Sequence, residues 1–437
     1  MLETPTARTP LGEWLRYIES VHSRSMDLTL DRVRAVLGAL HLQLPGAVVS
    51  VAGTNGKGSS VAMLESVYIA AGYRVGAYTS PHLVRYNERI RLERNAAADD
   101  ELAAAFAAVD SARGQIPLTY FEFGTLAAFW IFTQHGVDIA ILEVGLGGRQ
   151  DAVNVVDADV ALITSVGLDH MQWLGTTRSA IGAEKAGIMR NGRPVVCADP
   201  NPPNSIGRVA QGIGAELWCL GAEFGHRGLG GTWDWWGQAE ATSGYDAYHD
   251  LPLPPFNGEV QRHNAAGVVA VVHCLQDRLP VALGALRKGL QDARLAGRLQ
   301  ILPGLPRRIL DVAHNADAVT VLAEFLERQQ GHRDTIAVAG VLADKPVTAL
   351  VQRLATCFDR WHVAGLGGER GAPSTVLAAA VREVVPGVPV AEHDDPVAAY
   401  TAALSAAQSD DCVVIFGSFV TVGAIMESLA VIPIPNT

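Results

Sequence analysis

Residues 48–65 read VVSVAGTNGKGSSVAMLE. The apolar, β-branched start predicts a buried strand. Gly53, Gly56 and Gly58 then let successive N–H groups curl around an anion without Cβ clashes. A helix expected from about Ser59 aims its N-terminal dipole at the same point. Lys57 adds a full positive charge, and the Ser59 hydroxyl can ligate Mg²⁺. The spacing breaks the G-x-x-x-x-G-K-[ST] pattern in two places. Gly53 lies only three residues before Gly56, and Gly58 separates Lys57 from Ser59. The plain alternative is a glycine-rich βα turn with a solvated lysine. The flanking strand and helix favour a phosphate loop.

Outward from this loop, short apolar runs alternate with helical patterns: AVVSVA (47–52), RVGAY (74–78), DIAILEV (138–144) and DVALITSV (159–166). Runs this apolar suit parallel strands buried on both faces, with helices as crossovers. Residues 219–258, rich in Gly, Trp and Tyr, predict a small β excursion, and helical patterns resume over 262–276 and 281–291. A second alternating series follows: RRILDVA (307–313), TIAVAGV (335–341), RWHVAGL (360–366) and CVVIFGS (412–418). The expectation is an α/β chain, a P-loop parallel-sheet ATPase domain over 1–296 followed by a smaller Rossmann-like domain over 297–437. Gly297, Pro303, Gly304 and Pro306 cluster at the boundary.

Composition sets outer limits. The 437 residues are 49% hydrophobic and 18% charged, which fits a globular chain with ample core. A net charge of −11 argues against a nucleic-acid backbone as partner. No apolar run reaches the ~18–20 residues of a membrane helix. The N-terminal MLETPTARTPLGEWLRYIE lacks the basic and apolar parts of a signal peptide. Five scattered cysteines form no CxxC pair, so reduced thiols in a cytoplasmic chain are expected.

GTNGKGSS resembles the ATP loop of the Mur ligase superfamily. SPHLVRYNERI (80–90), LTYFEFGTLAAF (118–129), LEVGLGGRQDAVN (142–154), SVGLDHMQWLG (165–175), EKAGIM (184–189), GRLQ (297–300), DVAHN (311–315), GVLADKP (340–346) and FGSF (416–419) narrow the likeness. In this order they are similar to the folylpolyglutamate synthase/dihydrofolate synthase family, across nearly the whole chain and most weakly over 200–255. The resemblance implies a cytoplasmic, monomeric ligase using ATP, L-glutamate, 7,8-dihydropteroate and reduced folates, with Mg²⁺ at two sites. Ala316, Gln150 and Gln172 depart from the usual family pattern without removing a charge or ligand assigned below.

Residue by residue, the resemblance places ATP at Thr54, Asn55, Gly56, Lys57, Gly58, Ser59, Asn264, Arg298 and Asp311. It places metal at Ser59, Ser80, Glu143, His170 and Lys185, the last as a carbamate whose anionic oxygens suit Mg²⁺ where an ammonium would repel it. Lys57, Lys185, Asp311 and His314 carry the catalytic roles. Asp27, Leu28, Thr29, Leu30, Thr119, Tyr120, Phe121, Glu122, Gln150, Asp151 and Ala152 line the dihydropteroate pocket. Read from the residues alone, Glu143 is a strand-end acid, salt-bridged or metal-bound. His170 and Lys185 are then ordinary loop and helix residues, Arg298 is a surface hinge arginine, and Tyr120 and Phe121 are equally core.

The chemistry joins a carboxylate to an amine. Oxide is a hopeless leaving group, so the carboxylate takes the γ-phosphoryl of ATP and becomes an acyl phosphate. Cations must screen the two approaching anions. One rival is a Mur-type ligase of cell-wall peptides, disfavoured by SPHLVRYNERI and LTYFE. Another is a nucleotide switch without ligase chemistry, which would not need Lys57, Glu143, His170, Lys185, Asp311 and His314 together.

Overall fold

The run 47–52 becomes β1 (Ala47–Ala52), near the middle of an eight-stranded sheet. The computed structural model describes residues 5–23, 27–43, 46–228, 230–238, 245–329 and 331–431. Met26, next to the pocket candidate Asp27, falls outside them, as do parts of the 219–258 excursion. The other strands are β2 (Val75–Tyr78), β3 (Ile90–Leu92), β4 (Asn95–Ala96), β5 (Ile139–Glu143), β6 (Val160–Ile163), β7 (Pro194–Cys197) and β8 (Glu216–Cys219). Their order is β4-β3-β2-β5-β1-β6-β7-β8, with every pairing parallel except those that β3 makes with β2 and β4.

Every β1 residue is buried because the sheet is covered on both faces. Val48 and Ala52 pack with the helices Asp99–Arg113 and Tyr120–Gln134. Ala47, Val49 and Val51 pack with the helices Lys57–Ala70, Val260–Cys274 and Leu283–Asp292. β5 and β6 flank β1 on opposite sides, so their carboxyl ends leave a crevice beside the glycine loop.

The excursion is a three-stranded antiparallel sheet, β9 (Phe224–Arg227), β10 (Thr232–Gln238) and β11 (Tyr245–Pro252). It is anchored by buried Trp235, whose indole N–H donates to the Ala266 carbonyl at 3.1 Å. A six-stranded sheet follows: β12 (Gln300–Leu302), β13 (Arg307–Leu310), β14 (Thr335–Ala339), β15 (Arg360–Ala364), β16 (Val390–His393) and β17 (Cys412–Phe416). Its order is β12-β13-β17-β14-β15-β16, with only β12 antiparallel.

Several strands stop before their apolar runs end. β6 ends at Ile163, where Thr164 turns to donate to the Asn55 carbonyl at 2.6 Å. β13 ends at Leu310, because the Asp311 carboxylate accepts from the backbone N–H of Leu299 and Ala313, each at 2.8 Å. The helix after the glycine loop starts at Lys57, two residues earlier than expected, since Gly56 at φ 85° turns the chain directly into it.

Candidate active site

The carboxyl ends of β1, β5 and β6 and the loop after β13 surround a cavity of about 720 Å³. Thr54, Asn55, Gly56, Lys57, Gly58, Ser59, Ser80, Glu143, His170, Lys185, Asn264, Arg298, Asp311 and His314 all line it. Gly56 is sterically required there: a Cβ would sit 2.5 Å from Asn264 Oδ1. Lys57 Nζ folds back onto the Gly53 carbonyl at 3.0 Å. Burial lowers the Lys57 pKa, with the Glu143 charge opposing.

The oxygen donors are poorly satisfied. Ser59 Oγ is buried without a hydrogen-bond partner. The buried Glu143 carboxylate, at the end of β5 as its run predicted, accepts from Ser80 N at 3.3 Å, and burial raises its pKa. Lys185 is buried at the end of the helix Arg178–Lys185, and desolvation brings its pKa down to about 7. His170 is left-handed at φ 50°, and burial lowers its pKa to about 4. The unpartnered Ser59 hydroxyl, the Glu143 carboxylate with its one backbone donor and the neutral His170 imidazole line the same cavity, and donors of these kinds fit Mg²⁺.

A second cavity, of about 940 Å³, is lined by Asp27, Leu28, Thr119, Phe121, Glu122, Gln150, Asp151 and Ala152 on one side. Leu342, Ala343, Asp344, Lys345, Arg370 and Ser418 face them from the second sheet's loops. Thr29, Leu30 and Tyr120 lie outside its wall; Tyr120 instead packs edge-on against Tyr86 at 5.5 Å. Arg32 bridges two of the acids, contacting Asp27 at 3.1 Å and Glu122 at 2.9 Å. Glu122 also caps its own helix, accepting from Thr119 N at 2.7 Å. Asp151 accepts from Leu146 N at 2.8 Å and Val153 N at 3.0 Å, yet burial lifts its pKa to about 7. Ser80, Gly145, Leu146, His170, His314 and Phe419 belong to both walls, so the two cavities meet there.

Sequence reasoning passed over the residue at the centre of the interface. Asp169 Oδ1 accepts from Lys345 Nζ at 2.8 Å, and Oδ2 from Asn315 Nδ2 at 3.1 Å, with His314 Nε2 at 3.5 Å. Burial alone would raise its pKa, but His314, His170 and Lys345 together hold the carboxyl far below the usual range. Asn315 also exchanges amide hydrogen bonds with Asn55 of the glycine loop, at 3.0 and 3.1 Å. The signal was present, since Asp169, Asn315 and Lys345 each sit in a quoted motif just past a strand. Arg298, between Gly297 and Leu299 at positive φ, stacks over the Phe419 ring at 5.2 Å, tying the linker to the second sheet's last helix.

The family model described as "Mur ligase middle domain" matches residues 51–223, and "Mur ligase, glutamate ligase domain" matches 297–419. The dihydrofolate synthase/folylpolyglutamate synthase of Escherichia coli K12 is 42% identical over 432 residues, covering 97% of this chain and 96% of its own. The chain belongs to this family. The Haemophilus influenzae member is 37% identical, covering 95% of this chain and 97% of its own. Among solved structures, E. coli FolC in complex with DHPP and ADP superposes with a TM-score of 0.90 at 42% identity, covering 98% of this chain and 99% of that one. A bifunctional member with Mn, AMPPNP and L-glutamate bound gives 0.88 at 41%, covering 98% and 100%. Family members are thus ATP-dependent amino-acid ligases that bind nucleotide and divalent metal. No helix among the described residues is long and apolar enough to cross a membrane.

Proposed function

We propose that this chain joins L-glutamate to 7,8-dihydropteroate, forming dihydrofolate, and to the glutamate tail of reduced folates, through an acyl phosphate. One observation carries the reading: the glycine-loop cavity and the cavity holding the candidate pterin residues share the wall of Ser80, His170 and His314. A nucleotide in the first and a pterin carboxylate in the second would meet at that wall. The ligands of the relatives, DHPP with ADP in one and AMPPNP with L-glutamate in another, support the same pairing.

Lys57 and Arg298 screen the phosphates, Asn264 backs the loop, and Asp311 holds the linker that carries Arg298. Ser59, Ser80, Glu143, His170 and a carbamate on Lys185 would hold Mg²⁺ at two positions. When bound, the metal supplies charge neutralisation between carboxylate and γ-phosphoryl. A buried amine that makes no ion pair among the described residues suits carbamate formation, in which the nitrogen adds CO₂ and releases a proton. A carboxylate oxygen attacks the γ-phosphorus and ADP leaves. The glutamate amine then attacks the acyl carbon and expels phosphate. His314 donates from Nδ1 to the Val312 carbonyl at 2.8 Å, so Nε2, 3.5 Å from Asp169 Oδ2, is the nitrogen that takes the amine proton, with the Asp169 carboxylate steadying the resulting cation.

The ring sits against Phe121 and Leu28, with Asp27, Glu122 and Asp151 as acceptors for its N–H groups. Arg32 fixes two of those acids in place. ATP and pterin are held mainly by residues 1–296, with Arg298, Asp311 and the loops of the second sheet closing both cavities, and glutamate enters from the 297–437 side. Both cavity walls are built by this chain, so the proposed site is complete within a monomer. The test supplies ATP, Mg²⁺, L-glutamate and 7,8-dihydropteroate to the purified protein and looks for dihydrofolate. Turnover of only those folates that already bear glutamate would reduce the reading to tail extension.

A further inference from the structure

Cys197 and Cys219 are distant in sequence but directly paired in the sheet. They end β7 and β8 and oppose each other in the parallel register. Paired residues on neighbouring parallel strands point to one face, with the strands about 4.8 Å apart, inside the Cα window of a disulfide. Both side chains pack on the same apolar cluster, and both thiols are free. Their environments differ. Cys197 is fully buried, while Cys219 lies half-buried on β8, the sheet's edge strand. Each thiol perturbs the other: the neighbouring Cys197 lowers the Cys219 pKa, while Cys219 and burial raise that of Cys197.

The pair is tied to the nucleotide cavity. Two residues after Cys197, the Asp199 carboxylate accepts from Val166 N at 2.7 Å and Asn201 N at 2.8 Å. Asp199, Pro200 and Asn201 all line that cavity. The Cys197 carbonyl accepts from Leu220 N at 2.9 Å, so β7 and the loop after β8 are already coupled at this end.

We propose that Cys197 and Cys219 form a reversible dithiol–disulfide site that reacts with small-molecule disulfides and, when oxidised, weakens ATP binding through the Asp199 loop. Cys219 is the attacking thiolate because it is the accessible one. It displaces one thiolate from the small disulfide and becomes a mixed disulfide. The Cys197 sulfur then attacks the Cys219 sulfur and expels the second thiolate. The two protein thiol protons end on the two released thiols, and the electron pair passes from the protein to the small disulfide. Closing the bond draws the end of β7 toward the edge strand and shifts Asp199.

The experiment treats folded, full-length protein with oxidised glutathione. It reads the bond by intact mass and non-reducing peptide mapping, and ATP affinity by equilibrium binding. The expected results are loss of two hydrogens, a Cys197–Cys219 cross-linked peptide, and a several-fold rise in the Kd for ATP that dithiothreitol reverses. Cys197→Ser should stop at a mixed disulfide on Cys219, with Cys197→Ala used if the serine variant does not fold. Cys219→Ser should not react at this pair. The proposal is overturned by a folded protein that forms no cross-link, by bonding through Cys274 or Cys357 instead, or by a cross-link that leaves ATP affinity unmoved. The affinity arm rests on the proposed function. Reduced protein that fails to bind ATP would speak against that reading, while the cross-linked peptide still decides whether the dithiol site exists.

Discussion

Lys185 is a basic side chain where a helix buries it beside Glu143, Ser80 and His170 on one cavity wall. An unmodified ammonium there is expensive, because burial penalises the charged form. The proposed carbamate would replace that cation with oxygen donors whose negative charge a bound metal would balance. Lys185→Ala should therefore lose nearly all turnover yet keep the fold, and a short carboxylic acid should restore part of the rate. No rescue over a range of acids and concentrations would count against a carbamate. Asp151 offers a second residue-scale test. Burial holds its pKa near about 7, so the folded protein keeps a proton that the unfolded chain releases near about pH 4. The folded pKa is raised, so this contribution is full at low pH and fades as pH climbs through about 7. Asp151→Asn lacks the titration. The Tm of wild type minus that of the variant should therefore fall between about pH 5 and pH 8. A flat or rising difference would contradict the assigned environment.

Among the elements, the helix Lys57–Ala70 matters most because its first residues are the phosphate loop's last. It is held from behind by the helix Leu283–Asp292, at a contact so close that a Cβ on Gly289 would lie 2.3 Å from Val67 Cα. Ser66 Oγ donates to the Gly289 carbonyl at 2.5 Å across the same contact. Gly289→Ala should cost about 1–3 kcal/mol of stability by overpacking. The lower Tm should come with unchanged kcat per folded molecule if the loop is undisturbed, and unchanged stability would show that the helices separate freely. The elements themselves were legible to different degrees. β1, β5 and β17 follow from apolar runs that are buried on both faces. β7 and β8 were not singled out, because PVVC and ELWC are only four residues each and ELWC opens on a charged residue. The early helix start was hidden because only backbone geometry shows Gly56 turning the chain straight into it.

At the scale of the whole molecule, the site exists only because two sheets present their loops to each other. The motifs named most of the lining residues. Asp169 could not be read as the hub, since its partners Lys345, His314 and Asn315 are more than a hundred residues away in sequence. Likewise, the pairing of Arg32 with Glu122 depends on two helices, Asp31–Leu40 and Tyr120–Gln134, that are far apart in sequence. What the assembled interface implies is a single event, the transfer of the γ-phosphoryl of ATP onto a pterin-linked carboxylate where the two cavities join. The direct measurement uses 7,8-dihydropteroate labelled with ¹⁸O in its carboxylate and follows the label through one turnover with ATP, Mg²⁺ and L-glutamate. An acyl phosphate predicts that one labelled oxygen leaves in inorganic phosphate, with ADP as the nucleotide product. Label carried off in AMP, or phosphate free of label while dihydrofolate forms, would contradict the account.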